Sequence, residues 1–312
     1  KLVERAQRAE QAGFEFAMVS DHYHPWTDRQ GNAPFVWSVL GGVAMTTQRL
    51  RVGTGVTCPI VRQHPAIVAQ AAATVAAMMP GRFFLGVGTG ENLNEHITGE
   101  RWPAVSVRRE MLEEAVEIIR ELWSGEFTQY QGEYFTVDDA RIYTLPDPLP
   151  HIYVAAAGIE SADLAGRIGD GFISTAPKRE LVQEFDAGGA PNRPHYAQIT
   201  VCYAKDETQA RKTALEVWPN AGLPGELSAE LPLPRHFMQA AKIVTEDEVA
   251  KTIVCGRDPE RHLQMIRKYE AAGFEHIFFH QVGDDQEGFF RFYEEQVLPQ
   301  ARSSQTQRRG AA

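Results

Sequence analysis

The chain alternates between two kinds of hydrophobic pattern. Short apolar runs rich in β-branched and aromatic residues, bounded by Gly or Pro, predict strands. Amphipathic stretches with a period near 3.6 residues predict helices. Seven strands are predicted, at 14–20, 51–57, 82–88, 151–156, 171–175, 199–204 and 276–281. Helices are predicted at 2–12, 34–47, 65–79, 107–123, 161–168, 180–187, 207–218 and 260–272. This alternation is typical of a parallel sheet with crossover helices.

The first predicted element is a helix, and a similar passage from helix to strand occurs near the end of the chain. Ala-Glu-Gln-Ala-Gly-Phe-Glu-Phe at 9–16 is matched by Tyr-Glu-Ala-Ala-Gly-Phe-Glu-His at 269–276. Each indicates a helix that ends at Gly before a strand. We therefore expect an α/β fold, a (β/α)8 TIM barrel whose first strand lies upstream of Lys1. An open, doubly wound sheet is the alternative.

One barrel is expected to cover residues 1–300, with two long insertions. They fall at about 89–150 and 205–258, and the first contains an aromatic, hairpin-like stretch at 127–137 with Gly132 at its turn. Long segments that follow strands at the C-terminal face of a barrel are where such enzymes build their pockets. Residues 301–312 are small and polar and predict a flexible C-terminal tail.

Composition narrows the possible partners and compartments. The chain of 312 residues carries 31 Lys and Arg against 41 Asp and Glu, a net charge of −10, which argues against a nucleic-acid or anionic-membrane surface. The longest apolar stretch, at 66–79, is shorter than the roughly 18 residues that a spanning helix needs. Three widely spaced cysteines without a C-x-x-C pair fit a reducing, cytoplasmic setting.

Three strand ends carry residues of the types that act in catalysis or ligand binding. Barrel active sites lie at the C-terminal ends of the strands. Residues 20–26 read Ser-Asp-His-Tyr-His-Pro-Trp, and an ordinary polar loop is the other interpretation of any one of them. Residues 86–95 read Gly-Val-Gly-Thr-Gly-Glu-Asn-Leu-Asn-Glu, which lets the backbone approach a ligand but is not G-x-G-x-x-G. Residues 53–59 read Gly-Thr-Gly-Val-Thr-Cys-Pro, where the glycines indicate a bulge, a bound ring or a barrel-corner kink.

A metal centre and a serine nucleophile are both disfavoured. His22 and His24 could begin a metal site, but among the later predicted strand ends only His280 offers another imidazole. The chain contains no G-x-S-x-G elbow. We therefore predict no metal.

Five stretches together carry a resemblance to a known family. They are Val-Ser-Asp-His-Tyr-His-Pro-Trp (19–26), Ala-Pro-Phe-Val-Trp-Ser-Val-Leu (33–40), Gly-Thr-Gly-Val-Thr-Cys-Pro (53–59), Phe-Leu-Gly-Val-Gly-Thr-Gly-Glu-Asn-Leu-Asn-Glu (84–95) and Ala-Gly-Arg-Ile-Gly-Asp-Gly-Phe-Ile (165–173). In this order they resemble the luciferase-like oxidoreductases that use the deazaflavin coenzyme F420, especially the F420-dependent glucose-6-phosphate dehydrogenase branch. The resemblance runs from residue 1 to about 299 and implies a luciferase-type TIM barrel, usually a homodimer.

The resemblance implies which residues lie along the coenzyme, and FMN is the alternative cofactor. These residues are Asp21, Gly55, Val56, Thr57, Cys58, Thr89, Gly90, Asn94, Ala157, Gly158, Glu160 and Ser161. It also implies a strained peptide between Gly55 and Val56, with a cis bond as one form of the strain, pressed behind the deazaflavin ring. Ala157 stands where the family has Gly, so we expect a tighter or shifted contact there.

The resemblance further implies hydride transfer between a carbinol carbon and C5 of the deazaflavin. His22 would take the hydroxyl proton, for which an imidazole is suited near neutral pH. Glu91 would supply a proton toward N1 of the ring, and Trp26 would line the pocket.

The substrate-binding residues implied by the resemblance are Thr175, Lys178 and Thr252. In the sugar-phosphate enzymes a Thr and three basic side chains hold the phosphate. Here the second cation falls near Ser228 and the third aligns with Thr252, so a neutral or singly charged alcohol or sugar is expected. Three alternatives remain: a glucose-6-phosphate dehydrogenase whose phosphate site is rebuilt with Arg235 or Lys251, an FMN-dependent luciferase-like monooxygenase, and a catalytically silent coenzyme-binding barrel.

Overall fold

The computed structural model describes residues 1–189, 191–223 and 225–309, with side chains up to 303. The strands are β1 (Phe16–Val19), β2 (Arg51–Thr54), β3 (Phe83–Val87), β4 (Thr128–Gln131), β5 (Thr136–Ala140), β6 (His151–Ala155), β7 (Gly171–Ser174), β8 (His195–Cys202), β9 (Val254–Cys255) and β10 (His276–Gln281). The helices are α1 (Leu2–Gln11), α2 (Val36–Thr46), α3 (Pro65–Met78), α4 (Asn92–Glu95), α5 (Val105–Leu122), α6 (Ile159–Ile168), α7 (Arg179–Ala187), α8 (Glu207–Val217), α9 (Leu227–Glu230), α10 (Pro234–Ala240), α11 (Glu246–Val249), α12 (Pro259–Ala272), α13 (Gln286–Phe292) and α14 (Leu298–Arg309). A π-helical turn, Tyr293–Val297, joins the last two helices.

The central sheet is parallel and curls into a nearly closed barrel. Its strand order is β1-β2-β3-β6-β7-β8-β10, and β9 pairs with β8 beside that path. No hydrogen-bonded ladder joins β1 to β10 in the described ranges, yet the rings of Phe16 and Phe278 lie 6.4 Å apart across the gap. The sequential order confirms the predicted barrel and excludes the doubly wound alternative, in which the order reverses at a switch point.

Aromatic rings fill the barrel below its C-terminal mouth. The ring centroids of Phe84, Tyr153 and Tyr196 lie 4.9 to 5.6 Å from one another. A Cβ at Gly53 would lie 2.1 Å from the Phe84 ring, which explains why this strand carries glycine. The filled interior leaves the mouth as the place for a site, as is general for this architecture.

The repeated passage from helix through glycine to strand is confirmed at both ends of the chain. Gly273 follows α12 at a φ of 108° and leads into β10. Gly13 follows α1 at a φ of 87° and leads into β1. Both are left-handed conformations that favour glycine, so the repeat marks the point at which each helix ends.

The structure differs from the sequence-based expectations at several places, of which helix α13 (Gln286–Phe292), not predicted from sequence, is one. Strand β8 begins at His195 rather than at 199, and the two-residue strand β9 was not predicted. Helix α14 continues to Arg309, although a flexible tail was expected over 301–312, of which residues 310–312 lie outside the described residues. The segment 89–150 contains α4, α5 and the hairpin β4–β5, and 205–258 contains α8 to α11 and β9.

None of the helices in the described ranges has both the length and the apolar character that a membrane span requires.

Candidate active site

Loops that follow β1 and β3 bring the two predicted catalytic groups together at the barrel mouth. Nε2 of His22 lies 3.6 Å from Oε2 of Glu91. The indole ring of Trp26 lies 5.6 Å from the His22 ring, centroid to centroid. The three residues that the sequence assigns to catalysis therefore form one cluster, although 65 or more residues separate the two loops.

The His22 and Glu91 side chains have pKa values shifted in opposite directions. Their exposed fractions are 23% and 30%, and protein atoms surround the rest of each group. Burial lowers the pKa of His22 to about 4, and the nearby Asp21 charge only partly offsets this effect. Burial raises the pKa of Glu91 to about 8, and the charge of Glu95 adds to the shift. At neutral pH the imidazole is therefore unprotonated and the carboxyl protonated, so their contact is a neutral one.

Asp21 is the centre of a buried polar network behind the cluster. Its Oδ2 accepts hydrogen bonds from Thr57 Oγ1 at 3.0 Å and from Gln63 Nε2 at 2.7 Å. Its Oδ1 accepts from Arg62 Nη2 at 2.9 Å. Arg62 in turn lies 3.6 Å from Oε1 of Glu95. The carboxylate is therefore fully occupied, and it ties the loop after β1 to the loop after β2.

Asn94 links the loop after β1 to the short helix α4. Its Oδ1 accepts hydrogen bonds from the backbone N–H of Tyr23 at 3.0 Å and of His24 at 3.2 Å. The side chain is buried, so these backbone donors depend on it for a partner.

The backbone after β2 and β3 packs closely at the mouth. The peptide bond between Gly55 and Val56 is cis, which confirms that expectation. A Cβ at Gly88 would lie 2.9 Å from Cγ2 of Val56, and a Cβ at Gly90 would lie 2.4 Å from Sγ of Cys58. Thr89, next to them, is half-buried. Only glycine permits this close approach of the two loops.

The start of α6 offers a place for an anionic group. Gly158 is its N-cap residue, and within the described residues no side chain caps the helix. A Cβ at Gly158 would meet no atom within 4 Å, so the space beside the helix start is open. Ala157 and Glu160 are exposed here and Ser161 is half-buried. Free backbone N–H groups at a helix N-terminus bind phosphate, so the backbone here fits a phosphate-bearing coenzyme. The carboxylate of Glu160 would repel a phosphate, and it forms an ion pair with Arg109.

An apolar wall adjoins the catalytic cluster. Trp26 is only 7% exposed, and its ring packs edge-on against Phe237 with centroids 4.9 Å apart. We use the term apolar wall for Trp26, Leu93, Trp218, Leu223, Leu231 and Phe237, which pack together. Most of these side chains come from the insertion after β8, so this insertion forms part of the pocket.

The predicted substrate-binding residues lie at the surface. Thr175, Lys178 and Thr252 are exposed, and the Thr252 hydroxyl donates to the carbonyl oxygen of Val249 at 3.1 Å. None of the three forms a hydrogen bond with the His22, Trp26 and Glu91 cluster in the described part of the chain. Nor do the described side chains include a group of three His, Cys, Asp or Glu residues that could hold a metal ion.

Comparison with known proteins identifies the family. Residues 1–276 match the sequence profile of the family described as Luciferase-like monooxygenase. The chain belongs to this family. An F420-dependent glucose-6-phosphate dehydrogenase of Nakamurella multipartita is 38% identical to this luciferase-like protein over 97% of this chain and 93% of its own length. An F420-dependent hydroxymycolic acid dehydrogenase of Mycobacterium tuberculosis is 39% identical, over 97% of this chain and 84% of that protein.

A solved structure supports the same grouping. An F420-dependent secondary alcohol dehydrogenase, in complex with an F420-acetone adduct, matches the luciferase-like chain with a TM-score of 0.88 and 32% identity. The match covers 95% of this chain and 93% of that one. These findings confirm the resemblance on which the sequence analysis relied.

The sequence does not predict several residues of the luciferase-like site. Arg62 and Gln63 bind Asp21 across 41 and 42 residues, and no local pattern reports a contact of that kind. The side chains Trp218 and Phe237 come from an irregular insertion whose path the sequence does not predict. The sequence indicates His280 at a strand end only as a candidate metal ligand, whereas the structure places its ring 4.3 Å from the Trp218 ring, centroid to centroid.

Proposed function

We propose that this protein is an F420-dependent oxidoreductase that transfers a hydride between an alcohol or sugar carbon and C5 of the deazaflavin. The names of the similar proteins above support F420 as the coenzyme. The observation that carries the proposal is the pair of His22 and Glu91, 3.6 Å apart, with the pKa of one lowered to about 4 and of the other raised to about 8. Pairs whose environments separate their pKa values in this way are typical of acid and base roles.

The chain's residues fit this coenzyme at two places. The close-packed backbone of Gly55, Val56, Thr57 and Cys58, with Thr89 and Gly90, suits one face of a flat ring. The backbone at the open start of α6, at Ala157, Gly158, Glu160 and Ser161, suits its phosphate. When bound, the deazaflavin supplies a hydride acceptor at C5. Asp21 and Asn94 are both 4% exposed, so we assign them to holding the loops that border the coenzyme.

The two catalytic side chains handle protons. His22, unprotonated at neutral pH, takes the hydroxyl proton of the alcohol as the hydride leaves its carbon. Glu91 keeps its proton at neutral pH and would donate it toward N1 of the bound deazaflavin. Trp26 closes the pocket beside His22 and excludes water. Each proton transfer of this kind contributes about a hundred- to ten-thousand-fold to the rate.

The substrate is proposed to be a neutral or singly charged alcohol or sugar, or the corresponding carbonyl compound in the reverse direction. Ser228 and Thr252 stand where the sugar-phosphate enzymes have cations, and the apolar wall adjoins His22. Charge-assisted hydrogen bonds to a phosphate contribute about 1.5 to 3 kcal/mol each, so glucose 6-phosphate should bind poorly. A phosphate site rebuilt with Arg235 or Lys251 is the competing possibility, since both side chains are exposed.

Two experiments test the proposal, first coenzyme binding and then hydride transfer. Titration with F420, followed by its fluorescence, should show saturable binding that FMN does not match. Oxidised F420 should then lose its visible absorbance when alcohols or neutral sugars are added, and glucose 6-phosphate should be a weak donor. Binding without a reaction with any alcohol, sugar or carbonyl compound would contradict the proposal and favour a catalytically silent barrel.

We also propose that two copies of the chain assemble into a homodimer. Helices α2 and α3 contain no charged residue, although 23% of the chain is charged. Met45 on α2 is 71% exposed, and Ile67 on α3 is 58% exposed. An uncharged surface with exposed large apolar side chains is typical of an interface. Because the two helices are uncharged, we assign this surface to contact with the same surface of a second copy of the chain.

We propose a cytoplasmic location because of the state of the three cysteines. Cys58, Cys202 and Cys255 are all buried and free. Thiols that pair with nothing are usual in a reducing compartment.

A further inference from the structure

His280 lies on the inner face of the last strand, close to the barrel mouth. Side chains on a strand alternate between faces, so His276, Phe278 and His280 point to the same side of β10. His276 stacks on Tyr196 with ring centroids 4.5 Å apart, and Phe278 packs in the same interior cluster. His280 is therefore the next inward side chain above the filled interior, at the level where the site begins.

The surroundings of His280 belong to the pocket. Its ring meets the indole of Trp218 edge-on, with centroids 4.3 Å apart, and Trp218 is part of the apolar wall. On the neighbouring strand β8, Thr200 is its register partner. Thr200 is half-buried, whereas Ile199 and Val201, which face the outer helices, are buried. The inner face of the sheet is therefore more open than the outer face at this level.

Nδ1 of His280 has no hydrogen-bond partner among the described residues, although the atom is buried. Buried polar atoms are almost always paired, so an unpaired one requires an explanation. Burial lowers the pKa of His280 to about 4, and a positive charge on His22 would lower it further, so the two imidazoles interact. The ring is therefore neutral near pH 7, with one nitrogen that donates and one that accepts.

The coenzyme-facing residues come from the loops after β2, β3 and β6, whereas His280 stands on β10 beside His22 and the apolar wall. The polar ligand atom nearest to it is then the oxygen of the reacting alcohol or carbonyl compound. We propose that His280 is a substrate-binding residue that hydrogen-bonds this oxygen, while the apolar wall holds the carbon skeleton. This inference rests on the proposed function.

Substitutions at the two ends of β10 test the proposal. His280→Phe keeps a ring against Trp218 and removes both nitrogens, and His280→Asn keeps one donor and one acceptor. With propan-2-ol as donor and saturating F420, His280→Phe should raise KM about tenfold, the loss expected for one hydrogen bond. Its dissociation constant for F420 should stay unchanged, and His280→Asn should recover much of the KM. His276→Phe, on the same face at the far end of the strand, is the control and should leave KM unchanged.

An unchanged KM in His280→Phe would overturn the proposal, and so would an equal rise in His276→Phe or weaker F420 binding in His280→Phe. A second measurement separates this failure from failure of the proposed function. If the wild type binds F420 but oxidises no donor, the histidine ring ¹⁵N signals of the F420 complex are compared with and without propan-2-ol. A shift of the His280 signals supports the proposal, and unchanged signals contradict it.

Discussion

Nδ2 of Asn94 donates a hydrogen bond to Oε2 of Glu91 across 3.2 Å. The carbonyl oxygen of the same amide accepts the backbone N–H groups of Tyr23 and His24. One buried side chain thus fixes both the carboxyl group of Glu91 and the loop that carries His22. The distance between Glu91 and His22 therefore depends on this amide.

Replacing Asn94 tests this arrangement. Asn94→Ala leaves two backbone donors without an acceptor, and each such loss costs about 1 to 3 kcal/mol. We expect a lower melting temperature and a fall in kcat of about ten- to a hundredfold, because the acid and the base lose their relative positions. Asn92→Ala, on the same short helix, removes only the bond to the carbonyl oxygen of Glu230 and is the control. Equal kinetic losses in both variants would contradict the positioning role.

The rate of hydride transfer should depend on pH in a bell-shaped manner. His22 must be unprotonated, so kcat/KM should fall below about pH 4, the pKa to which burial lowers this imidazole. Glu91 must be protonated, so kcat/KM should fall above about pH 8, the pKa to which burial and Glu95 raise its carboxyl. The measurement is kcat/KM for an alcohol donor across this range at saturating F420.

Glu91→Gln gives the control for the alkaline limb. The amide cannot donate its proton as an acid, so the rate should be about a hundred- to ten-thousand-fold lower. Whatever rate remains should no longer fall near pH 8. An alkaline limb that persists in this variant would show that another group is responsible.

Stability should also depend on the protonation of Glu91. Below pH 4.5, the ordinary pKa, its carboxyl is neutral in the folded and unfolded chains alike. Between 4.5 and about 8 the unfolded chain releases this proton while the folded chain keeps it, so the folded state loses stability as the pH rises. Glu91→Gln does not titrate, so its melting temperature should rise relative to the wild type from pH 5 to pH 9.

Glu10→Gln should show the opposite trend and serves as the control. Burial alone would raise the pKa of Glu10, but hydrogen bonds from the backbone N–H groups of Arg49, Leu50 and Gln48 lower it overall. A carboxylate of this kind contributes stability above its ordinary pKa and loses it in acid. The melting temperature of Glu10→Gln should therefore lie furthest below that of the wild type at high pH. In acid the two melting temperatures should be equal. Parallel trends in the two variants would contradict the argument.

The sequence predicts the barrel well because its strands are continuous apolar runs under crossover helices. The exceptions have physical reasons. Strand β8 begins with His195, which lies near two carboxylates, so its polar start does not read as a buried strand. Strand β9 has only two residues, too few for any periodicity to be visible.

The sequence likewise predicts some residues of the site and not others. Residues on strand-end motifs, such as His22 and Glu91, are found from sequence because the barrel brings strand ends together. Arg62 and Gln63 are not found, because they support Asp21 through contacts that exist only after folding. Asn94 is found, but only as a neighbour of the coenzyme, and its bonds to the loop of His22 are not. The partners of a buried charge such as Asp21 are therefore known only from the structure.

Asp21 should be important for stability as well as for the site. Asp21→Asn removes the charge that faces the Arg62 guanidinium, whose side chain is 8% exposed. Breaking a buried ion pair costs about 3 to 5 kcal/mol of unfolding free energy. Because Glu95 still faces Arg62 at 3.6 Å, we expect a loss near the lower end of this range. Thr57→Val removes only one of the hydrogen bonds to the same carboxylate and leaves the ion pair intact, so it should cost about 1.5 kcal/mol, the lower end for a bond to a charged group. Urea unfolding measures both, and a loss in Asp21→Asn no larger than in Thr57→Val would contradict the network.

The uncharged face of α2 and α3 gives a prediction about assembly. Met45→Glu and Ile67→Lys each place a charge where a second copy would have to bury it, which is strongly unfavourable without a partner. Light scattering after gel filtration should give twice 34.8 kDa for the wild type and 34.8 kDa for either variant. Ile243→Lys is the control, because Ile243 is 79% exposed but lies on the insertion after β8. A wild-type mass of one chain, or equal dissociation in Ile243→Lys, would show that this face does not join two copies.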